Sequence, residues 1–188
     1  MTSLVILEGK LDEIIVSRIL DSDPQLRGRF LTAVAGGRSS AISLARSYLV
    51  TGDQRLALVL DADMTDLEKV AAEQALVADL LEGMAVPERF IVLMVVPEVE
   101  ALLFFDRGFA ETVFAHKFSD SEWAAAQQSP KLELGRLIHG QPTRTINLSR
   151  VERLLDKVDM RPLVATEFAT QLREFLLHEP LHAAKVGK

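Results

Sequence analysis

Three carboxylates stand directly behind short apolar runs: Glu8 behind residues 4–7, and Asp61 and Asp63 behind residues 56–60. Clustered carboxylates repel one another, and a cation among them relieves the cost. All-oxygen ligands favour a hard divalent ion, Mg2+ or Mn2+, and Mg2+ usually keeps several waters and substrate phosphates in its shell. Side chains at i and i+2 of an extended segment point the same way, so Asp61 and Asp63 are expected to reach one metal region together. Glu98 and Glu100 follow the apolar run 90–96 and Pro97. On a helix these two diverge by about 200°; on an extended segment both can face one ion, and Glu100 is the favoured ligand. Glu8, Asp61, Asp63, Glu98 and Glu100 are thus the candidate metal ligands. The competing reading is that they are solvated carboxylates at loop ends, as Asp66 is read from its place in a first helical turn.

Other residues near these strand ends have a possible role in binding or catalysis. Gly9 lets the backbone turn into a helix close to Glu8. Gly36-Gly37-Arg38-Ser39 is a strand-to-helix turn whose amides and Arg38 can hold a phosphate; a plain turn is the alternative. Lys10 either balances the acids or is an exposed lysine. Lys131 opens a helix, where its charge opposes the dipole, and that misplacement makes it a catalytic candidate. Trp123, Phe104, Phe105, Phe109, Phe114 and Phe118 read as core packing.

The elements that must position these groups follow from apolar patterning. Residues 4–7, 30–35, 56–60 and 90–96 read as strands, the third and fourth without a polar interruption, as in a parallel sheet covered on both faces. Between them lie helical patterns after Gly9, after Ser39 and after Thr65, where Thr65-x-x-Glu68 is a capping-box pattern. Strand–helix alternation of this length predicts right-handed crossovers and a mainly parallel, four-stranded α/β sheet flanked by helices. Residues 98–105 are expected to start a helix. Beyond them, 120–127, 130–138, 149–158 and 162–177 read as helices, with Ser129-Pro130 and Ser149-x-x-Glu152 as start signals. The expected organisation is an α/β domain over residues 1–106 and a helical C-terminal extension over 107–188. In such a sheet, ligands bind beyond the carboxyl ends of the strands, where all the candidate acids lie.

Composition limits the alternatives. The chain of 188 residues has no cysteine, which excludes disulfides and zinc–thiolate sites and suits a reducing cytoplasm. Its four histidines give no close ligand pair; His178 and His182 have helical spacing, but Pro180 lies between them. No apolar run is long enough for a membrane span, and the opening Met1-Thr2-Ser3-Leu4 lacks the basic run of a leader. The tail 183–188 reads as a frayed end. The net charge of −6 argues against purely electrostatic nucleic-acid binding. Residues 1–115 carry 10 Lys/Arg against 18 Asp/Glu, and residues 116–188 carry 11 against 9, so the acidity lies with the candidate site. Metal ions can offset such acidity locally.

Leu4-Val5-Ile6-Leu7-Glu8-Gly9-Lys10-Leu11-Asp12-Glu13 resembles the opening motif of a Toprim domain, and residues 56–63 resemble its second motif, a strand running into Asp-x-Asp. Toprim domains occur in topoisomerases, primases, recombination-repair proteins and overcoming-lysogenization-defect (OLD) nucleases. The resemblance implies a compact parallel sheet with helices on both faces and Mg2+-dependent phosphodiester chemistry. It makes Glu8 a ligand or general acid/base and Asp61 and Asp63 ligands. Gly36-Gly37, Pro97-Glu98-Val99-Glu100-Ala101-Leu102-Leu103 and Ser129-Pro130-Lys131 are similar to OLD-type and small stand-alone Toprim proteins. That pattern implies Glu100 at a second metal and Lys131 stabilising the transition state. The two core motifs span about half the chain. The chain departs from the nucleases in having no ATPase domain, Walker-type phosphate loop or DNA-binding module.

Two functions are therefore expected: metal-dependent cleavage of DNA or RNA with two ions about 4 Å apart, or a non-catalytic module acting through a protein or nucleic-acid partner. Asp61-Ala62-Asp63-Met64-Thr65 also fits the Asp-x-Asp-x-Thr of haloacid-dehalogenase-like phosphatases, but that motif normally follows the first strand. A glycosyltransferase Asp-x-Asp fits locally and leaves Glu8 unexplained.

Overall fold

The computed structural model describes residues 2–178. Pro180, His182 and the tail 183–188 lie outside the described residues. Strands β1 (Ser3–Leu7), β2 (Phe30–Val34), β3 (Leu56–Asp61) and β4 (Phe90–Val95) form one all-parallel sheet in the order β2-β1-β3-β4. Helices α1 (Lys10–Asp21), α2 (Arg38–Thr51) and α3 (Leu67–Glu82) carry the crossovers. The chain moves outward from β1 to β2, then back across to β3. The crevice at this reversal opens beyond the carboxyl ends of β1 and β3.

Strand alternation sorts the core into two layers. Val5, Leu7, Ala57, Val59, Leu93 and Val95 face α1 and the C-terminal helices. Ile6, Leu56, Leu58, Leu60, Phe90 and Val92 face α2 and α3, which contribute Ala41, Ala45, Leu49, Val77 and Leu81. The apolar runs of β1 and β3 are unbroken because both strands are interior and both their faces are covered.

The C-terminal part supplies α4 (Arg107–Phe114), α5 (Asp120–Gln128), α6 (Pro130–His139), α7 (Leu148–Leu155) and α8 (Glu167–Leu177). Val151, Leu155, Leu172 and Leu176 from these helices join the α1-side core. Phe104 stacks on Phe114 with ring centroids 5.2 Å apart, and Phe118 meets Trp123 edge-on at 5.7 Å. Phe105 remains exposed.

Several local readings change. Residues Val99–Phe104 form a 3-10 helix. Helix α4 was not foreseen; Asp106 starts it by accepting from the Phe109 amide at 2.8 Å. The run 162–177 divides into a 3-10 turn (Arg161–Ala165) and α8, because extended Thr166 caps the second piece. The expected caps Thr65 and Ser149 give way to Asp66 on α3 and Asn147 on α7. An Asp or Asn side chain is at least as good an acceptor for the free amides of a first turn. Among the described residues no helix is long and apolar enough to cross a membrane.

Candidate metal centre

Glu8 and Asp61 leave adjacent strands on opposite faces of the sheet. Asp61 follows Leu60 and Val59, so its side chain falls on the Val59 side, toward α1. Its Oδ1 accepts from the Val99 amide at 2.8 Å. Glu8 follows Ile6 in the alternation and falls toward α2. Its Oε1 accepts from the Asp61 amide at 3.0 Å and lies 3.6 Å from Arg38 Nε.

Asp12, Asp61 and Glu100 form a possible metal-binding acidic cluster: one oxygen from each lies within 4.8 Å of the others. Asp12 occupies the first turn of α1, where its Oδ2 accepts from the Gly9 amide at 2.7 Å. Gly9 leaves room for this; a Cβ there would lie 3.2 Å from the same oxygen. Glu100 comes from the 3-10 turn after β4 and is 0% exposed. Among the described residues neither of its carboxylate oxygens has a hydrogen-bond partner. Lys131 Nζ stands 3.0 Å from Oε1 as an ion pair, off the alignment a hydrogen bond needs.

Electrostatics follow from this crowding. Burial pushes the Asp61 carboxyl up to about 8, with the Asp12 charge adding to it and the Val99 amide opposing it. Burial likewise raises Asp12 and Glu100, with Lys131 opposing both. Burial raises Glu8 against the Asp61 amide and Arg38. Burial pushes Lys131 down, but the charges of Glu100, Asp12 and Asp61 outweigh it and raise its pKa. Converging carboxylate oxygens, with Glu100 lacking a hydrogen-bond donor and Asp61 raised by the charges of Asp12 and Glu100, fit a divalent cation.

The structure separates the remaining candidates. Asp63 is not extended: it sits at φ 55°, and its side chain is 69% exposed beside Arg38 Nη2 at 3.2 Å. The shared direction expected of an extended Asp-x-Asp therefore ends with β3. Glu98 turns to the start of α6, accepting from the Lys131 amide at 2.7 Å, with Arg144 3.8 Å away. The same lysine thus gives its amide to Glu98 and its ammonium to Glu100.

The amides of Gly36 and Gly37 are occupied, donating to the Glu8 carbonyl at 2.8 and 3.0 Å with φ of 83° and 134°. They are not the free phosphate-binding amides expected of this turn. Arg38 is also engaged, by Glu73, Asp63 and the Asp61 carbonyl. Ser39 is exposed on α2 and lines a separate shallow depression with Ser40, Ser43 and Leu44. Lys10 pairs with Glu13.

A groove of about 490 Å³ opens over the centre, lined by Glu8, Gly9, Asp12, Asp61 and Lys131, with Lys10 and Arg144 among its basic groups. Asp12 was absent from the expected ligands. Its signal was its position one helical turn past Glu8, where a first-turn side chain returns to the strand end. No family model, curated protein or solved structure matches the chain.

Proposed function

We propose that the chain performs divalent-metal-dependent phosphodiester chemistry on nucleic acid, in the manner of a Toprim nuclease. The observation that carries this reading is Glu100, a fully buried carboxylate with no hydrogen-bond partner among the described residues, set against Asp12 and Asp61. Asp12, Asp61 and Glu100 would hold Mg2+ or Mn2+. Such an ion, when bound, polarises a phosphoryl oxygen and makes water a better nucleophile.

The chain's own groups supply the rest. Lys131, partly exposed to the groove, offsets charge gathering on a phosphate oxygen. Glu8 Oε1 is engaged by the Asp61 amide, which leaves Oε2 to hold the proton that its raised pKa favours. Lys10 and Arg144 offer contacts for flanking phosphates.

The test is cleavage of labelled single- and double-stranded DNA and RNA with Mg2+ or Mn2+. Metal-dependent cleavage is expected, reduced on the order of a hundredfold or more in Glu8→Gln. Absence of cleavage on every substrate would remove the nuclease reading. The net charge of −6 supports a second reading, a metal-binding module that works through a partner. Capture from the native cell should then differ between the wild type and the Asp61→Asn/Asp63→Asn variant.

A further inference from the structure

The resemblance implies two ions, but among the described residues one set of three acids converges closely enough for an ion, and a fixed organic cation lies beside it. We infer that Arg38 occupies the position a second divalent ion would take, and that the site holds a single ion on Asp12, Asp61 and Glu100. This inference rests on the metal-dependent reading above and deepens it.

The first argument is convergence. Glu8, Asp63 and Glu73 all turn to the Arg38 guanidinium. Nε lies 3.6 Å from Glu8 Oε1, Nη2 lies 3.2 Å from Asp63 Oδ2, and Nη1 binds Glu73. Nη2 also donates to the Asp61 carbonyl. Glu8 and Asp63 are two of the acids expected to ligate metal. A planar, permanently charged fork already spans them. A divalent ion in the same space would meet a like charge at contact distance.

The second argument is what remains free. Among the described residues, Asp12, Asp61 and Glu100 are the one group of three such side chains whose ligand atoms converge closely enough for an ion. Glu8 and Asp63 do not complete another. Glu100 meets Lys131 as an ion pair but has no hydrogen-bond partner among the described residues, whereas Asp63 is drawn to Arg38.

The third argument is charge. Three ionised carboxylates and Lys131 leave two negative charges, which one divalent ion neutralises.

Arg38 is also well anchored. It is the first residue of α2, directly behind Gly36 and Gly37, whose amides hold the Glu8 carbonyl. The cation and the acid it faces are therefore fixed by one turn.

Mn2+ titration of the full chain tests the inference, with calorimetry for stoichiometry and electron paramagnetic resonance for coupling between ions. The expected result for the wild type is one Mn2+ per chain, with the spectrum of isolated ions. Folded Arg38→Met should bind a second Mn2+, with magnetic coupling between the two; if that variant does not fold, Arg38→Gln meets the same criterion. Two coupled ions in the wild type would overturn the inference and leave the metal-dependent reading intact. A folded Arg38 variant that still binds one ion would overturn the role given to Arg38. A wild type that binds no Mn2+ would overturn the metal-dependent reading, and the inference with it.

Discussion

On the α1 side of Asp61, Asp12 and Glu100 gather near Lys131, and the Glu100 oxygens have no hydrogen-bond partner among the described residues; on the α2 side, Glu8, Asp63 and Glu73 share a guanidinium. The residue types are nearly the same. Burial limits the water available to the α1 side, most of all at Glu100, so its charges need a cation or a proton. The other side has a multidentate partner and, at Asp63, solvent. Burial and the shape of the partner, more than acid count, distinguish a possible ligand set from a completed ion-pair network.

The largest expected effect that tests this contrast is on metal affinity. Asp61→Asn should weaken Mn2+ binding on the order of a hundredfold, because ligand charge sets affinity. Asp63→Asn should weaken it less than about threefold, since an exposed, paired carboxylate acts only through screened charge. Calorimetry on both variants checks this, and equal losses would erase the difference between the sides.

The next effect is on stability. In the metal-free protein, folded Asp61 titrates near 8, whereas an unfolded aspartate titrates near 3.9. Below about pH 4 both states are protonated. Between pH 4 and 8 the folded state binds the extra proton, so stability falls as pH rises. Asp12, Glu100 and Glu8, also raised by burial, act in the same direction. Thermal melts without metal should therefore decline from pH 5 to pH 8. Lys131→Met should steepen the decline, by about 2 kcal/mol at pH 8, through loss of the cation paired with Glu100. Saturating Mn2+ should reverse the slope, because its ligands bind deprotonated. A flat metal-free profile would show that the buried side is already neutralised.

The smallest effect concerns the loop that brings Arg144 to the groove. A Cβ at Gly135 would lie 1.9 Å from the Thr143 carbonyl oxygen, so α6 and this loop are in backbone contact. Gly135→Ala should cost about 1–2 kcal/mol in denaturant unfolding. It should also move Arg144, raising KM for an oligonucleotide more than it lowers kcat. An unchanged KM would remove Arg144 from substrate contact.

Much of the sheet was legible because its strands are unbroken apolar runs separated by helical periods. The strand limits followed within a residue or so. Caps were less legible: Asp66 and Asn147 compete with nearby Thr65 and Ser149, and the choice depends on where the chain arrives. At the site, Asp61 and Glu100 could be placed at strand ends from apolar patterning. That Asp63 would leave the extended conformation at φ 55° could not, since one backbone angle decides it. Asp12 was hidden for another reason. A first-turn aspartate is ordinarily a dipole or capping residue, and here the same carboxylate takes an amide bond and faces the acids.

Asp61 is held at three separate atoms. Its amide donates to Glu8, its carbonyl accepts from Arg38, and its carboxylate accepts from the Val99 amide. The strand end is thus immobilised before any ion arrives, and the entropy of ordering this ligand has already been lost in folding. On the proposed metal-dependent reading, ion uptake at such a post would be an exchange of protons and hydration water, with the backbone as a spectator.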